Sequence, residues 1–171
     1  MGSDKALLQY RGATLVERVA EAVSQGVGRP VLVGDRGQYQ GLGYEVISDL
    51  YPGEGPLGGV LTALQHSRAE WNLIVACDMP ELTGEFLGGL MEAAEGSDGE
   101  VLLPVGPDGK IEPLCAVYHR TARAGLQRSF DRGIRQMRVG LEEVRGVTHV
   151  VSDPTRFQNI NSPEDWAKYA G

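Results

Sequence analysis

One stretch of this chain reads Asp49-Leu50-Tyr51-Pro52-Gly53-Glu54-Gly55-Pro56-Leu57-Gly58-Gly59, between a short apolar run and a helical pattern. Four glycines and two prolines fall within these eleven positions. Glycine lets main chain approach a ligand closely, and proline fixes the direction of a turn. The helix that follows presents unpaired N–H groups and the positive end of its dipole, which favour anions. This stretch, called the glycine loop below, therefore predicts either a ligand-facing loop or an ordinary strand-to-helix turn.

Apolar residues on both sides of the glycine loop alternate between strand and helix periods. Short continuous apolar runs predict buried strands at 31–33, 44–47 and 73–76. Helical spacing of apolar residues predicts helices over 15–23, 60–64 and 86–94. The alternation predicts an α/β fold in one domain over residues 1–171, with a three-layer, mostly parallel sheet covered by helices on both faces.

The second half of the chain is less regular. Apolar runs at 101–104 and 111–118 flank turn residues 106–109, which predicts a small inserted hairpin. Two helical patterns and a strand follow, at 121–130, 135–144 and 147–151. The run Ser162-Pro163-Glu164-Asp165 predicts a last helix, because serine caps, proline suits the first helical position and acids favour the positive dipole end.

Composition and charge limit the class of partner. A net charge of −7 argues against non-specific binding to nucleic acid or to an anionic membrane, since both need a basic surface. The two cysteines, Cys77 and Cys115, lie far apart in apolar runs, so we expect them to be buried and reduced. No apolar stretch approaches a membrane span, and the first residues lack the apolar core of a signal peptide. We therefore expect a cytoplasmic protein with no nucleic-acid or membrane partner.

Two aspartates follow predicted strands, at the positions where open α/β sheets bind ligands. Asp49 follows the strand at 44–47 and begins the glycine loop, and Asp78 follows the strand at 73–76 in Cys77-Asp78-Met79-Pro80. An aspartate stiffened by a nearby proline is well placed to bind Mg²⁺ together with substrate phosphates. The alternative for Asp78 is a helix-capping aspartate in a strand-to-helix loop.

Three further groups of polar residues have both a chemical and a structural interpretation. Lys5 precedes the first helix, where its ammonium is either a point charge for phosphate oxygens or a solvated surface group. Asn159 and Asn161 share one side of an extended segment, or they form a turn. A small basic cluster either holds an anionic second substrate or decorates a solvated helix face; its members are Arg132, Arg135 and Arg138.

Four segments, in this order, resemble the molybdenum cofactor guanylyltransferases of the nucleotidyltransferase superfamily. The segments are Met1-Gly2-Ser3-Asp4-Lys5-Ala6-Leu7, the glycine loop, Cys77-Asp78-Met79-Pro80 and Asn159-Ile160-Asn161-Ser162-Pro163-Glu164-Asp165. The resemblance covers almost the whole chain, and the glycine loop and the asparagine motif are its specific parts. It implies a Rossmann-like nucleotidyltransferase sheet and an enzyme that transfers GMP from GTP to molybdopterin with Mg²⁺ and releases pyrophosphate.

The resemblance also implies a role for particular residues. Lys5 would contact the GTP phosphates and Asp78 the metal, and these two are the candidate catalytic residues. The nucleotide site would consist of Lys5, Asp49, Gly55 and Asp78. The side toward molybdopterin would consist of Arg135, Asn159 and Asn161. The resemblance is also compatible with transient contacts to other proteins of molybdenum cofactor biosynthesis or to acceptor proteins.

The chain departs from the family pattern in two places. The family signature begins with a strand and a Leu-Ala-Gly-Gly type loop, and Met1-Gly2 coincides with the end of that signature. Because the first strand is normally central, we expect the natural protein to continue upstream of Met1. Gly34 stands where family members often have an asparagine that helps to hold the nucleotide.

Two other interpretations stay open at this point. The first is a related nucleotidyltransferase with another base or acceptor, such as a molybdopterin cytidylyltransferase or a sugar-phosphate nucleotidyltransferase. The second is a non-catalytic protein that binds a nucleotide or the pterin, since loss of the first loop would remove turnover and leave a binding surface.

Overall fold

A computed structural model of the chain describes residues 4–157. The candidate residues Asn159 and Asn161, and the helix predicted from Ser162, lie outside the described residues. They stay predictions.

The amino-terminal half alternates strands and helices, as its apolar period predicts. Its elements are β1 (Gln9–Tyr10), β2 (Ala13–Thr14), α1 (Leu15–Gly26), β3 (Val31–Val33), α2 (Arg36–Tyr39), β4 (Glu45–Ile47), α3 (Pro56–His66), β5 (Trp71–Val75) and α4 (Gly84–Glu95). Local chemistry sets where helices begin. Thr14 caps α1 in a capping box with Glu17, and Thr83 accepts a hydrogen bond from the N–H of Phe86 at the start of α4.

Between residues 101 and 157 the structure describes three strands and two helices. They are β6 (Val101–Val105), β7 (Cys115–His119), α5 (Ala122–Asp131), α6 (Met137–Gly140) and β8 (Gly146–Val150). The helix predicted over 135–144 is shorter than expected, because α6 gives way to a 3₁₀ turn at Leu141–Glu143. None of the helices found between residues 4 and 157 has both the length and the apolar character needed to cross a membrane.

The strands form one four-stranded sheet and two pairs. The four-stranded sheet has the order β5-β7-β6-β8, and the two pairs are β1-β2 and β3-β4. The pairing is mixed, not mostly parallel as the sequence suggests, because β7 runs antiparallel to both of its neighbours. Only β3-β4 and β6-β8 are parallel among the described pairs. The predicted hairpin of β6 and β7 is present, but its strands form the centre of the sheet and are not a small insertion.

Helices cover both faces of the four-stranded sheet, which confirms the α/β layering. Successive residues of a strand point to opposite faces. On one face, Leu103 and Tyr118 pack with the buried side chains of α3 and α5. On the other, Leu102 and Val117 pack with α4 and with Ala22 of α1. Cys115 is buried in this second layer and Cys77 is half-buried, and both are free thiols.

An apolar slot separates β3 from β5. The slot is a cavity of about 380 Å³ whose walls include both strands, with side chains of α1 and α3 above and below. β3 is paired only with β4, and β5 only with β7, so the facing edges have no strand partner among residues 4–157. Val31 is accordingly 39% exposed, although its type and strand position favour burial. Ala6 also lines the slot, beside Tyr39 and Cys77. Asp4, two residues before it, accepts a hydrogen bond from the Tyr39 hydroxyl.

Candidate active site

Lys5 and Asp78 meet at the carboxyl end of β5. Asp78 follows β5 by three residues, and Lys5 begins a 3₁₀ turn at Lys5–Leu7. The Lys5 Nζ lies 3.0 Å from Asp78 Oδ2, and the two side chains are 36% and 22% exposed. The structure thus joins two candidate residues that are 73 positions apart in the chain. A cation and a carboxylate at a strand end are suited to a phosphate and its metal ion.

Asp4 fixes the position of Lys5. Its Oδ1 accepts a hydrogen bond from the N–H of Ala6 (3.0 Å), which caps the 3₁₀ turn. Its Oδ2 accepts hydrogen bonds from the Gln38 amide (2.7 Å) and the Tyr39 hydroxyl. Burial and this hydrogen bond raise the pKa of Tyr39. The turn that carries Lys5 is therefore held by two residues of α2.

The ring of Tyr39 also accounts for Gly34. A Cβ at position 34 would lie 2.6 Å from Tyr39 Cε2, so a side chain there would displace the ring. The packing of Tyr39 is thus a structural reason for glycine at this position. The nucleotide-holding role expected here from the family resemblance stays untested.

Cys77 is not suited to be a nucleophile. Burial, followed by the negative charges of Asp78 and Asp4, raises the pKa of its thiol to about 11. The thiolate is the reactive form of cysteine, and it is scarce at neutral pH when the pKa is this high.

Asp49 organises the glycine loop. Its Oδ1 accepts a hydrogen bond from the N–H of Tyr51 (3.0 Å) and lies 2.9 Å from the hydroxyl of Thr62 on α3. Thr62 in turn accepts a hydrogen bond from the N–H of Leu50 (3.1 Å). One carboxylate oxygen therefore ties the loop to the helix. The nucleoside role of Asp49 stays a prediction beside this structural one.

Gly55 connects the loop to α3 in a conformation that only glycine adopts readily. Its φ is +81° and its ψ is −177°, and Pro56 occupies the first turn of the helix after it. Gly58 is required for a different reason: a Cβ there would lie 2.8 Å from Tyr51 Cβ. The glycines of this loop thus shape the turn and its packing, and they also leave the backbone accessible to a ligand.

Arg135 contacts the glycine loop from the other side. Its Nε forms an ion pair with Glu54, and its Nη1 donates to the carbonyl of Phe130 (2.8 Å). The guanidinium lies 3.7 Å from the centre of the Phe130 ring. That ring packs against the tilted ring of Tyr51, with the ring centres 4.6 Å apart. Arg135 is thus engaged within the protein, and its predicted contact with a second substrate would require it to exchange these partners.

A cavity of about 390 Å³ lies next to Asp78. Its walls bring together Asp78, the start of α3 and residues from the hairpin and α6, among them Glu112 and Arg138. Arg132, the third member of the predicted basic cluster, instead pairs with Glu143 (2.8 Å). Of this cluster, Arg138 faces the cavity, Arg135 contacts the loop and Arg132 lies on the surface.

The sequence patterns did not single out Glu112, which lines this cavity. It stands in the apolar run 111–118, so the single carboxylate was a signal that polarity was needed there. Arg138 was identified only as part of a cluster.

The comparisons with known proteins agree on one family. A family model described as the MobA-like NTP transferase domain matches residues 1–144. A probable molybdenum cofactor guanylyltransferase from Clostridium perfringens is 33% identical over 130 residues, which cover 74% of this chain and 63% of that protein. The chain thus spans less than two thirds of that relative. A molybdenum cofactor guanylyltransferase from Shewanella sp. (strain ANA-3) is 30% identical over 174 residues, with 99% and 87% coverage.

A solved structure is similar over nearly the whole chain. The crystal structure of molybdopterin-guanine dinucleotide biosynthesis protein A from Archaeoglobus fulgidus superimposes with a TM-score of 0.83 at 30% identity. The match covers 98% of this chain and 89% of that one. The similarity therefore extends from the fold to the segments that carry the site.

Proposed function

Because the chain belongs to the family of MobA-like NTP transferase domains, we propose that it transfers GMP from GTP to molybdopterin. The products are pyrophosphate and the guanine dinucleotide form of the molybdenum cofactor. The names of the relatives from Clostridium and Shewanella support this acceptor and this base. The observation that carries the proposal is the Lys5–Asp78 pair, 3.0 Å apart beside the glycine loop.

The proposed reaction needs no protein nucleophile. A phosphate oxygen of molybdopterin attacks the α-phosphorus of GTP, and the bond from the α-phosphorus to the bridging oxygen breaks. Pyrophosphate leaves with the bonding electrons. Such transfers depend on positioning and on neutralising charge at the phosphate oxygens. Lys5 contributes a cation at this position, and the hydrogen bonds of Asp4 hold it in place.

Mg²⁺ is the metal that we propose for this site, and Asp78 is the residue that would hold it. Among residues 4–157, no cluster of three or more His, Cys, Asp or Glu side chains is arranged to bind a metal. A single carboxylate suits Mg²⁺, which takes its other ligands from substrate phosphates and water in nucleotide sites. When bound, the ion would neutralise charge on the phosphate oxygens.

The remaining candidate residues have supporting roles in this proposal. Asp49 contacts the nucleoside through its second carboxylate oxygen, and Gly55 lines the path between the two substrates. Arg135, Asn159 and Asn161 are the residues that we propose for recognition of molybdopterin. The enzyme works in the cytoplasm, where it makes transient contacts with proteins that supply or accept the cofactor.

The test is a transfer assay with GTP labelled at the α-phosphate, molybdopterin and Mg²⁺. We expect label in a dinucleotide product and stoichiometric pyrophosphate, with GTP used in preference to CTP. A preference for CTP would show a cytidylyl-transferring enzyme. Binding of nucleotide or pterin without product would show a non-catalytic binding protein.

A carboxylate substitution tests the metal site directly. Asp78→Asn should lower Mg²⁺-dependent transfer at least about a hundredfold, since it removes the charge that holds the ion. We expect little change in the free energy of unfolding, because the side chain lies at a strand end and contributes little packing.

Asp98→Asn is the matched control. Asp98 is exposed and follows the carboxyl end of α4 by three residues. Since α4 has 12 residues, Asp98 lies about 18 Å or more from the start of that helix. Transfer by this variant should equal that of the wild type. An Asp78→Asn protein that keeps most of its activity, or that unfolds, would contradict the metal assignment.

A further inference from the structure

The cavity beside Asp78 has the size and walls of a site for a flat heterocycle. Its volume of about 390 Å³ lies within the range of small-molecule sites. Met79 and Met137 are buried in its walls, and Ile111 and Leu114 add further apolar surface. Thioether side chains adapt to an aromatic ring and make favourable contacts with it.

Glu112 is the carboxylate that this cavity adds to Asp78. Its backbone is fixed, because its N–H donates to the Pro104 carbonyl (2.9 Å) and its carbonyl accepts from the Cys115 N–H (3.1 Å). Within residues 4–157, its half-buried side chain makes no hydrogen bond or ion pair. Burial raises the pKa of Glu112, and the nearby charge of Arg138 partly offsets that rise.

A half-buried carboxylate on a rigid backbone at a cavity wall is placed to accept hydrogen bonds from a ligand that offers donors. The pterin ring of molybdopterin presents two adjacent donors, the 2-amino group and the ring N3–H. Two parallel N–H groups match the two oxygens of a carboxylate, and such charge-assisted pairs are both strong and specific. The cavity also shares Asp78 with the phosphate site, so a pterin held here would lie next to the reacting phosphates.

We propose that Glu112 determines specificity for the pterin by accepting hydrogen bonds from its 2-amino group and N3–H. The inference rests on the proposed function, since it names how the same site recognises its second substrate. Guanine has a similar donor edge. The pterin is favoured because the walls of the cavity come from residues 56, 78–79, 111–114 and 136–138, and include neither Gly34 nor Asp49 of the predicted nucleoside side.

The experiment compares two probes, 6-hydroxymethylpterin and 6-hydroxymethyllumazine, by fluorescence titration of the full chain. Lumazine has a carbonyl in place of the 2-amino group, so it would direct an acceptor at Glu112. The wild type should prefer the pterin by roughly tenfold or more, the usual effect of one unpaired buried polar group. Glu112→Gln should lose most of this preference, because its amide faces the ring with one acceptor and one donor.

Asp108→Asn is the matched control on the same hairpin. Asp108 is exposed and pairs with Lys110 at 2.7 Å, so the variant removes the same charge outside the cavity. It should keep the preference for the pterin. An equal affinity of the wild type for both probes, or an unchanged preference in Glu112→Gln, would overturn the proposal.

Nucleotide binding separates this proposal from two rivals. Titration with GTP and with ITP, which lacks the 2-amino group, should show the same discrimination in the wild type and in Glu112→Gln. Loss of that discrimination would assign Glu112 to guanine, and loss of Mg²⁺-dependent GTP binding would assign it to the metal; either result overturns the pterin role. Guanylyl transfer by the wild type, measured separately, shows whether the proposed function itself fails.

Discussion

The ion pair of Lys5 and Asp78 joins the two residues that we propose to act on the phosphates and on the metal ion. A surface lysine and a capping aspartate were the ordinary interpretations of these residues. Their separation of 3.0 Å across 73 positions favours a shared role. Sequence predicted each residue, but not their contact, because contacts between distant segments depend on the packing of the whole sheet. Glu112 was missed for the same reason, since only the fold shows that it shares a cavity with Asp78.

A lysine substitution separates catalysis from stability. Lys5→Met should lower transfer by on the order of 10² to 10³, the usual cost of losing one group that stabilises developing charge. The free energy of unfolding should change by less than about 1 kcal/mol, because partly exposed ion pairs contribute little. Steady-state transfer and urea unfolding are the measurements.

Lys110→Met provides the comparison for this variant. Lys110 forms a closer pair, 2.7 Å from Asp108, on an exposed hairpin turn. Transfer should be unaffected when this pair is removed. An equal loss of transfer in Lys5→Met and in Lys110→Met would show that Lys5 acts only through the net charge of the protein and not through its position.

The thiol of Cys77 predicts how stability depends on alkaline pH. Its pKa is raised from 9.0 to about 11, mainly by burial. The contribution of this group is complete below pH 9 and is lost as pH rises toward 11, since the unfolded chain releases the proton first. Cys77→Ser should remove about 2 kcal/mol of the decline between pH 8 and pH 10.5, which is most of the roughly 2.7 kcal/mol that this difference in pKa is worth. Urea unfolding at pH 8 and at pH 10.5 gives the decline in the free energy of unfolding for each protein. An equal decline in the wild type and in Cys77→Ser would contradict the prediction.

At the scale of elements, the strong periodicity of apolar residues predicted the helices well. The sequence did not predict which strands pair with each other. The period of apolar residues located α1 and α4, because helical spacing is a local property. The order β5-β7-β6-β8 was not predicted, because a strand chooses its neighbours through contacts distant in sequence. A turn between two apolar runs indicates a hairpin wherever it lies, so the pattern did not distinguish an insertion from the centre of a sheet.

Two glycines separated by one turn of α3 allow a matched test of the glycine loop. Gly55→Ala should destabilise the protein by about 1–3 kcal/mol, because the φ of +81° with extended ψ is a region that other residues avoid. Gly59→Ala should raise stability by up to about 1 kcal/mol, since Gly59 is helical and a Cβ there has no atom within 4 Å. Thermal and urea unfolding measure both.

The transfer assay then shows whether the backbone conformation of Gly55 matters for catalysis. Gly55→Ala should also slow transfer, since its backbone sets the start of α3 beside the cavity at Asp78. Gly59→Ala should leave turnover unchanged. If Gly55→Ala were as stable and active as the wild type, the conformation of this residue would have no consequence for the site.

At the scale of the whole molecule, the slot between β3 and β5 leaves two strand edges unpaired among residues 4–157. Strands buried between two helix layers normally pair on both edges. The slot is therefore a place that would accept a further strand. Ala6 lines it beside Tyr39 and Cys77, so the slot reaches the short segment that carries Lys5.

An appended strand tests this interpretation of the slot. The extension is an apolar segment of five residues, the length of β5, joined to the amino terminus by a flexible glycine-serine linker of about eight residues. Burying its side chains should more than offset the cost of ordering its backbone, and the melting temperature should rise by roughly 5 °C or more. A control extension of equal length with alternating aspartate and glycine should leave it unchanged, because charge is excluded from an apolar slot. Binding of a dye to exposed apolar surface should fall only with the apolar strand. Equal melting temperatures and equal dye binding for the two extensions would show that the slot does not accept a strand.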